Sequence, residues 1–203
     1  MYARVASFEG RDTSLTDELV RRVRDRGPSS VPDAKGFLGL FDRERGTSLG
    51  ITFFESQEAL RNSEQAFEDM AQHFPPEMRG SRTSVEVYEV MIHDGSGEGA
   101  SAARVSSLEG PPDHVDEGIR KAREETLPKV RELPGAKGVL ALADRKSGRV
   151  KFITLWESEE ALRASEEQAN RLREQAAQSG GQQIARVDRY EVAIADRLSA
   201  VTA

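Results

Sequence analysis

The chain contains its own sequence twice. Ala34-Lys35-Gly36-Phe37-Leu38-Gly39-Leu40-Phe41-Asp42-Arg43 lies over Ala136-Lys137-Gly138-Val139-Leu140-Ala141-Leu142-Ala143-Asp144-Arg145. The match runs on through Gly46 with Gly148, Ile51-Thr52 with Ile153-Thr154, Glu55-Ser56 with Glu157-Ser158, Glu58-Ala59-Leu60-Arg61 with Glu160-Ala161-Leu162-Arg163 and Ser63-Glu64 with Ser165-Glu166. Roughly 18 of about 31 positions agree at one fixed offset, which marks a duplication. Ala3-Arg4-Val5 with Ala103-Arg104-Val105, and Tyr88-Glu89-Val90 with Tyr190-Glu191-Val192, extend the repeat over most of the chain. Two units follow, 1–93 and 102–203, joined by a linker at 94–101.

Each unit reads strand, helix, strand, strand, helix, strand. The first strand is expected from Tyr2 to Phe8 and again from Ala102 to Leu108, with helices starting near Ser14 and Asp113, both suitable caps. In the second copy Val115, Ile119, Ala122, Thr126, Val130 and Leu133 recur at helical spacing, and Pro128 predicts a kink. The Asp42–Gly46 and Asp144–Gly148 segments are hairpin turns with glycine where a positive φ is needed. A second helix is expected from Ser56 and from Ser158. The last strands span Ser84 to Ile92 and Arg186 to Ile194. The linker Asp94-Gly95-Ser96-Gly97-Glu98-Gly99-Ala100-Ser101 is flexible by composition, and its eight residues reach at most about 28 Å.

A four-stranded sheet with helices on one face normally shows polar residues at alternate positions on the other. Here Val150, Phe152 and Trp156 share one parity and Ile153 and Leu155 the other, while Phe37 and Phe41 oppose Leu38 and Leu40. Both faces call for burial. Helices cover one, and the simplest cover for the second is the sheet of the other copy. Four large apolar side chains buried in this way contribute roughly 6–12 kcal/mol before entropy.

Composition narrows the function classes. With no cysteine, disulfides, thiolate nucleophiles and Cys-ligated metals are excluded together. A net charge of −6 disfavours nucleic acid, which needs a clustered surplus of Lys and Arg. No apolar stretch approaches the roughly 20 residues of a membrane span, and the N-terminus enters a strand pattern without a signal-peptide core. The expectation is a cytoplasmic protein that partners neither nucleic acid nor membrane.

The order of elements, the Pro134-Gly135-x-x-Gly138 entry to the second strand, and the passage Ile153-Thr154-Leu155-Trp156-Glu157-Ser158-Glu159-Glu160-Ala161-Leu162 resemble the antibiotic biosynthesis monooxygenase (ABM) domains of the dimeric α/β-barrel superfamily. The resemblance implies ferredoxin-like βαββαβ units that pair through their sheets. With two units fused, one chain supplies the pair: an α+β, intrachain pseudo-dimeric α/β barrel, with further self-association left open. It also implies a choice of activities, among them cofactor-independent oxygenation of aromatic polyketides and haem degradation. For haem degradation it calls for an Asn on the first strand, a Trp ending the third and a His on the second helix. Only Trp156 matches; Phe54 replaces it in the first copy, Arg4 and Arg104 are what the first strands offer, and His73 lies near the helix end. No cofactor is expected.

The remaining polar residues have plain readings. His73, His93 and His114 lie on different elements without ligand-like spacing, so no metal site is expected. Glu55, Glu157, Glu159 and Glu160 suit helix starts. Two sets stand out. Trp156, Thr154 and Tyr190, with counterparts Phe54, Thr52 and Tyr88, are candidates to line a cleft between sheet and helices, where the resemblance places active sites; core packing is the competing account of the aromatics. Arg4 and Arg104 repeat a charge in mid-strand. Pointing inward, each must be paired or meet an anionic ligand; at a sheet edge, the commoner case, each is simply solvated. Because Phe54 faces Trp156 in the alignment and Gly50 faces Phe152, the two clefts are expected to differ in volume by a side chain or more. These features predict a protein that binds a small apolar or aromatic molecule without catalysis, or that serves a structural role, the alternative being a cofactor-independent monooxygenase on an aromatic substrate.

Overall fold

The computed structural model describes residues 1–26 and 31–196. The first copy runs β1 (Tyr2–Glu9), α1 (Thr16–Arg26), β2 (Ala34–Asp42), β3 (Thr47–Phe54), α2 (Gln57–Asn62), α3 (Glu64–Gln72), α4 (Pro76–Arg79) and β4 (Ser81–Asp94). The second runs β5 (Ala102–Glu109), α5 (Val115–Lys121), α6 (Leu127–Arg131), β6 (Ala136–Asp144), β7 (Arg149–Trp156), α7 (Glu159–Ala164), α8 (Glu166–Ser179) and β8 (Gln183–Asp196). Backbone hydrogen bonds order the strands β1-β3-β2-β8-β5-β7-β6-β4 as a closed barrel, the α+β architecture that the duplication implies.

The chain divides into two compact units, Met1–Tyr88 with 191–196 and Glu89–Tyr190. Strands β4 and β8 are each 14 residues long, longer than the sequence pattern suggests, and each contributes its second half to a different unit from its first. In the first unit β2 pairs with the end of β8, Phe37 opposite Asp196 and Phe41 opposite Glu191. In the second, β6 pairs with the end of β4, Glu89 opposite Ala143 and Asp94 opposite Val139. Both pairings carry a bulge, at Ala193 and at Met91. An arginine from the first helical segment of each unit takes the bulged carbonyl: Arg24 Nη2 donates to Ala193 O, and Arg123 Nη2 donates to Met91 O at 2.7 Å.

Local chemistry accounts for most boundaries. The Asp42 carboxylate accepts from the amides of Glu44 and Arg45 at 3.0 Å, and Asp144 accepts from Lys146, before Gly46 and Gly148 turn the chain at φ 65° and 74°. Ser56 and Ser158 cap their helices, each Oγ accepting the amide three residues on at 3.1 Å. The expected second helix is broken in both copies, at Ser63 and at Ser165, whose hydroxyls donate to nearby carbonyls. Pro128 acts as expected, but through a wide turn: residues Ala122–Thr126 adopt a π-helical turn between α5 and α6. The segment that composition reads as flexible is anchored at Ser101, whose amide and hydroxyl donate to Trp156 O and Glu157 O at 2.9 and 2.7 Å. Among the described residues no helix is long and apolar enough to cross a membrane.

The strands bury residues of both parities, Leu49, Ile51, Thr52, Phe53 and Phe54 in β3 being one example. On the helix side the two units differ. The second has one continuous core, from Leu108, Val115 and Ile119 through Val139 and Trp156 to Leu162 and Leu172. In the first it is split, with Leu19, Val20, Phe41, Phe74, Met78 and Ile194 in one cluster and Val31, Phe54, Leu60 and Phe67 in another. A cavity occupies the gap.

Candidate functional site

The floor of the first unit's cavity is a lattice of cross-strand rows. Arg4, Thr52 and Phe37 form one row across β1, β3 and β2; Ala6, Gly50 and Gly39 form the next; Phe8, Ser48 and Phe41 form the third. The middle row has almost no side-chain volume. The roof is Leu19 and Val23 of α1 with Phe67, Met70 and Ala71 of α3, and the partly open cavity has a volume of ≈ 450 Å³. In the second unit the middle row is Ser106, Phe152 and Ala141. Phe152 fills the space that Gly50 leaves open, Arg173 stands where the first copy has Ala71, and only ≈ 70 Å³ remains. The expected inequality of the clefts is therefore present, and the larger lies in the copy without the tryptophan.

Both mid-strand arginines point inward, so the sheet-edge reading does not hold: Arg4 is 3% exposed and Arg104 2%. Arg4 donates from Nε and Nη2 to the two oxygens of Glu64, at 3.2 and 3.4 Å, and its guanidinium lies over the Phe67 ring at 3.9 Å. Buried charge is thereby both paired and stacked. Arg104 donates from Nη2 to Leu162 O, Ser165 Oγ and Glu166 Oε2, at 2.8, 3.3 and 2.9 Å. The helix break at Ser165 leaves the Leu162 carbonyl available for this bond. Burial pushes the Arg104 pKa down, opposed by the charge of Glu166.

The candidate residues do not all meet. Arg4 and Thr52 line the first cavity, and Arg104, Thr154 and Trp156 the second. Trp156 Nε1 donates to Thr154 Oγ1 at 2.9 Å. Phe54, Tyr88 and Tyr190 are buried but line neither cavity; Phe54 packs edge-on against Phe67, ring centroids 6.2 Å apart. Four further polar residues reach the first cavity: Glu68, Gln72, Arg79 and Arg82. Arg82 pairs with Glu68 at 2.7 Å, whereas Nε of Arg79 is buried without a hydrogen-bond partner. No sequence pattern pointed to Arg79, which follows a Pro-Pro pair on a four-residue helix.

No family model matches the chain. It is 26% identical over 201 residues to the uncharacterized protein Rv2557 of Mycobacterium tuberculosis, covering 96% of this chain and 88% of that one. A second uncharacterized protein of that organism, Rv2558, is 38% identical over 95 residues, 47% of this chain and 40% of its own. Among solved structures, an anthrone oxidase-like protein superposes with a TM-score of 0.65 at 15% identity over 94% of this chain and 90% of its own. A ferredoxin-fold protein from Listeria monocytogenes, related to antibiotic biosynthesis monooxygenases, gives a TM-score of 0.55 at 13% identity, covering 94% of both chains. The chain thus shares the ABM fold, which by itself assigns no reaction.

Proposed function

We propose that the first unit binds a small, largely apolar molecule of aromatic-ring size in the cavity above Ala6, Gly50 and Gly39. One observation carries this reading: a partly open cavity of ≈ 450 Å³ remains in a unit whose twin fills most of the equivalent space with side chains. A natural core leaves few voids larger than a water molecule, and a cavity of this size falls within the range of small-molecule sites. Phe37, Phe41, Phe67 and Phe74 supply aromatic walls, and Arg79 offers one unused donor for a polar substituent. Oxygenation of an aromatic substrate, the activity that the fold resemblance suggests, would use the same space.

The test is fluorescence titration with the neutral apolar probe N-phenyl-1-naphthylamine. The wild-type protein should show saturable, one-site enhancement, and Gly50→Phe, which copies Phe152 into the first unit, should weaken it by about tenfold or more. An added Cβ at Gly50 meets only ring carbons of Phe37, at 3.5 and 3.7 Å, so the variant has room to fold. Absence of saturable binding, or equal binding by folded Gly50→Phe, would overturn the proposal. Anthrone consumption in air above the buffer rate, suppressed by the same variant, would assign oxygenase chemistry to the cavity.

A further inference from the structure

Arg4 and Arg104 hold equivalent places, yet they are left with different unused bonding capacity. Arg4 engages two nitrogens with one carboxylate. Arg104 makes all three of its bonds through Nη2, leaving Nε and Nη1 buried and without partners on a side chain that is 3% exposed. A guanidinium does not shed its charge, so such donors are costly when nothing accepts from them.

They are not alone. Nε of Arg173 and Nε2 of Gln182 are also buried without partners, and both residues line the same ≈ 70 Å³ cavity as Arg104. Arg104 and Arg173 line one cavity, and the Arg173 pKa is lowered first by burial and then by the charge of Arg104. The opposing charge is Glu166, and Arg189 already shares it at 2.8 Å. Arg104 and Arg189 thus share one carboxylate, while Arg173 makes no ion pair with it among the described residues. On the floor, Thr154 Oγ1 accepts from Trp156, so its own proton remains available to donate.

We propose that this cavity in the second unit is a binding site for a small oxyanion, of carboxylate to phosphate size, held chiefly between Arg104 and Arg173. The volume sets the class. About 70 Å³ is half or less of the roughly 150 Å³ of a cavity that takes a benzene ring, and it leaves room for a compact ion. Water would satisfy the donors but not the charge. The site is independent of the apolar cavity proposed for the first unit, where the position of Arg173 is Ala71.

Trp156 is the only tryptophan in the chain, its ring lies 5.5 Å from Arg104 Cζ, and it lines the cavity, so the protein carries its own reporter. The full chain is titrated with sodium phosphate, nitrate or acetate, ionic strength being held with a morpholinoethanesulfonate salt too bulky to enter. At least one of the three should give a saturable one-site change in Trp156 emission and raise the melting temperature by mass action. Arg173→Ala, the residue the first copy uses, should fold with an unchanged circular dichroism spectrum and bind that anion about tenfold or more weakly. A response that follows ionic strength alone, no response to any of the three, or equal affinity in Arg173→Ala would each overturn the proposal, and none of these would touch probe binding in the first unit.

Discussion

Gly39 and Gly50 face each other across β2 and β3 beneath the ring of Phe37, whose edge carbons lie 3.2 and 3.5 Å from where their Cβ atoms would be. The two positions look alike in sequence but not in space. A Cβ at Gly39 would also meet Ile194 and Phe41 at 3.4 Å, whereas at Gly50 it would meet Phe37 alone. Gly39→Ala should therefore destabilise by about 1–2 kcal/mol through overpacking. Gly50→Ala should be neutral or stabilise by about 0.5 kcal/mol through the unfolded chain. Urea unfolding of the two variants checks the contrast, and equal effects would contradict it.

Trp156→Phe should leave N-phenyl-1-naphthylamine binding unchanged, because Trp156 lines the smaller cavity. Stability should fall by about 1–2 kcal/mol as the bond to Thr154 is lost. A large loss of probe binding would move the apolar site to the second unit.

Glu64→Gln removes the only carboxylate that, among the described residues, pairs with buried Arg4, while Glu64 itself is half-exposed. The expected cost is about 1–3 kcal/mol, below the roughly 3–5 kcal/mol of a fully buried pair because one partner is partly solvated. Adding Arg4→Met should recover part of it, since no charge is then left to compensate. Additive losses in a double-mutant cycle would show that the pair contributes nothing.

Acid should destabilise through a named set of carboxylates. Burial opposes ionisation of Glu166, but bonds from Arg189 and Arg104, with their charges, outweigh it and hold its pKa below the ordinary value. The Arg131 hydrogen bond does the same for Asp94, and the Arg120 hydrogen bond holds Glu117 at about 2. A group with a depressed folded pKa contributes stability that is present above its unfolded pKa and lost as pH falls through the folded one. Unfolding free energy should thus decline from about pH 4.5 toward pH 2. Glu166→Gln should shallow that decline while lowering stability at neutral pH; an unchanged acid slope would exclude Glu166 from it.

The repeat, the hairpin turns, the serine caps and the inequality of the clefts were legible because each rests on local spacing or on direct comparison of the copies. Gly50 opposite Phe152 is the plainest case: one aligned pair foretold the difference in volume. The partners of Arg4 and Arg104 were not legible, since Glu64 and Glu166 lie about 60 residues away on helices that break at a serine. Tyr88 and Tyr190 matched between copies and looked like cavity residues, yet matching positions report a shared fold and not what a side chain lines. Arg79, Arg173 and Gln182 came from segments where the copies differ, and only coordinates show that their nitrogens lack acceptors.

Because Phe37 to Phe41 on β2 pair with Glu191 to Asp196, the first unit is finished by residues that the ribosome adds long after β2 itself. During synthesis the β2 margin must wait, with its backbone amides and carbonyls open to any passing strand. Early termination would leave a nascent chain whose leading half is sticky rather than merely incomplete. Chaperone attendance on this protein should accordingly persist until β8 has emerged, instead of fading once the first hundred residues have emerged.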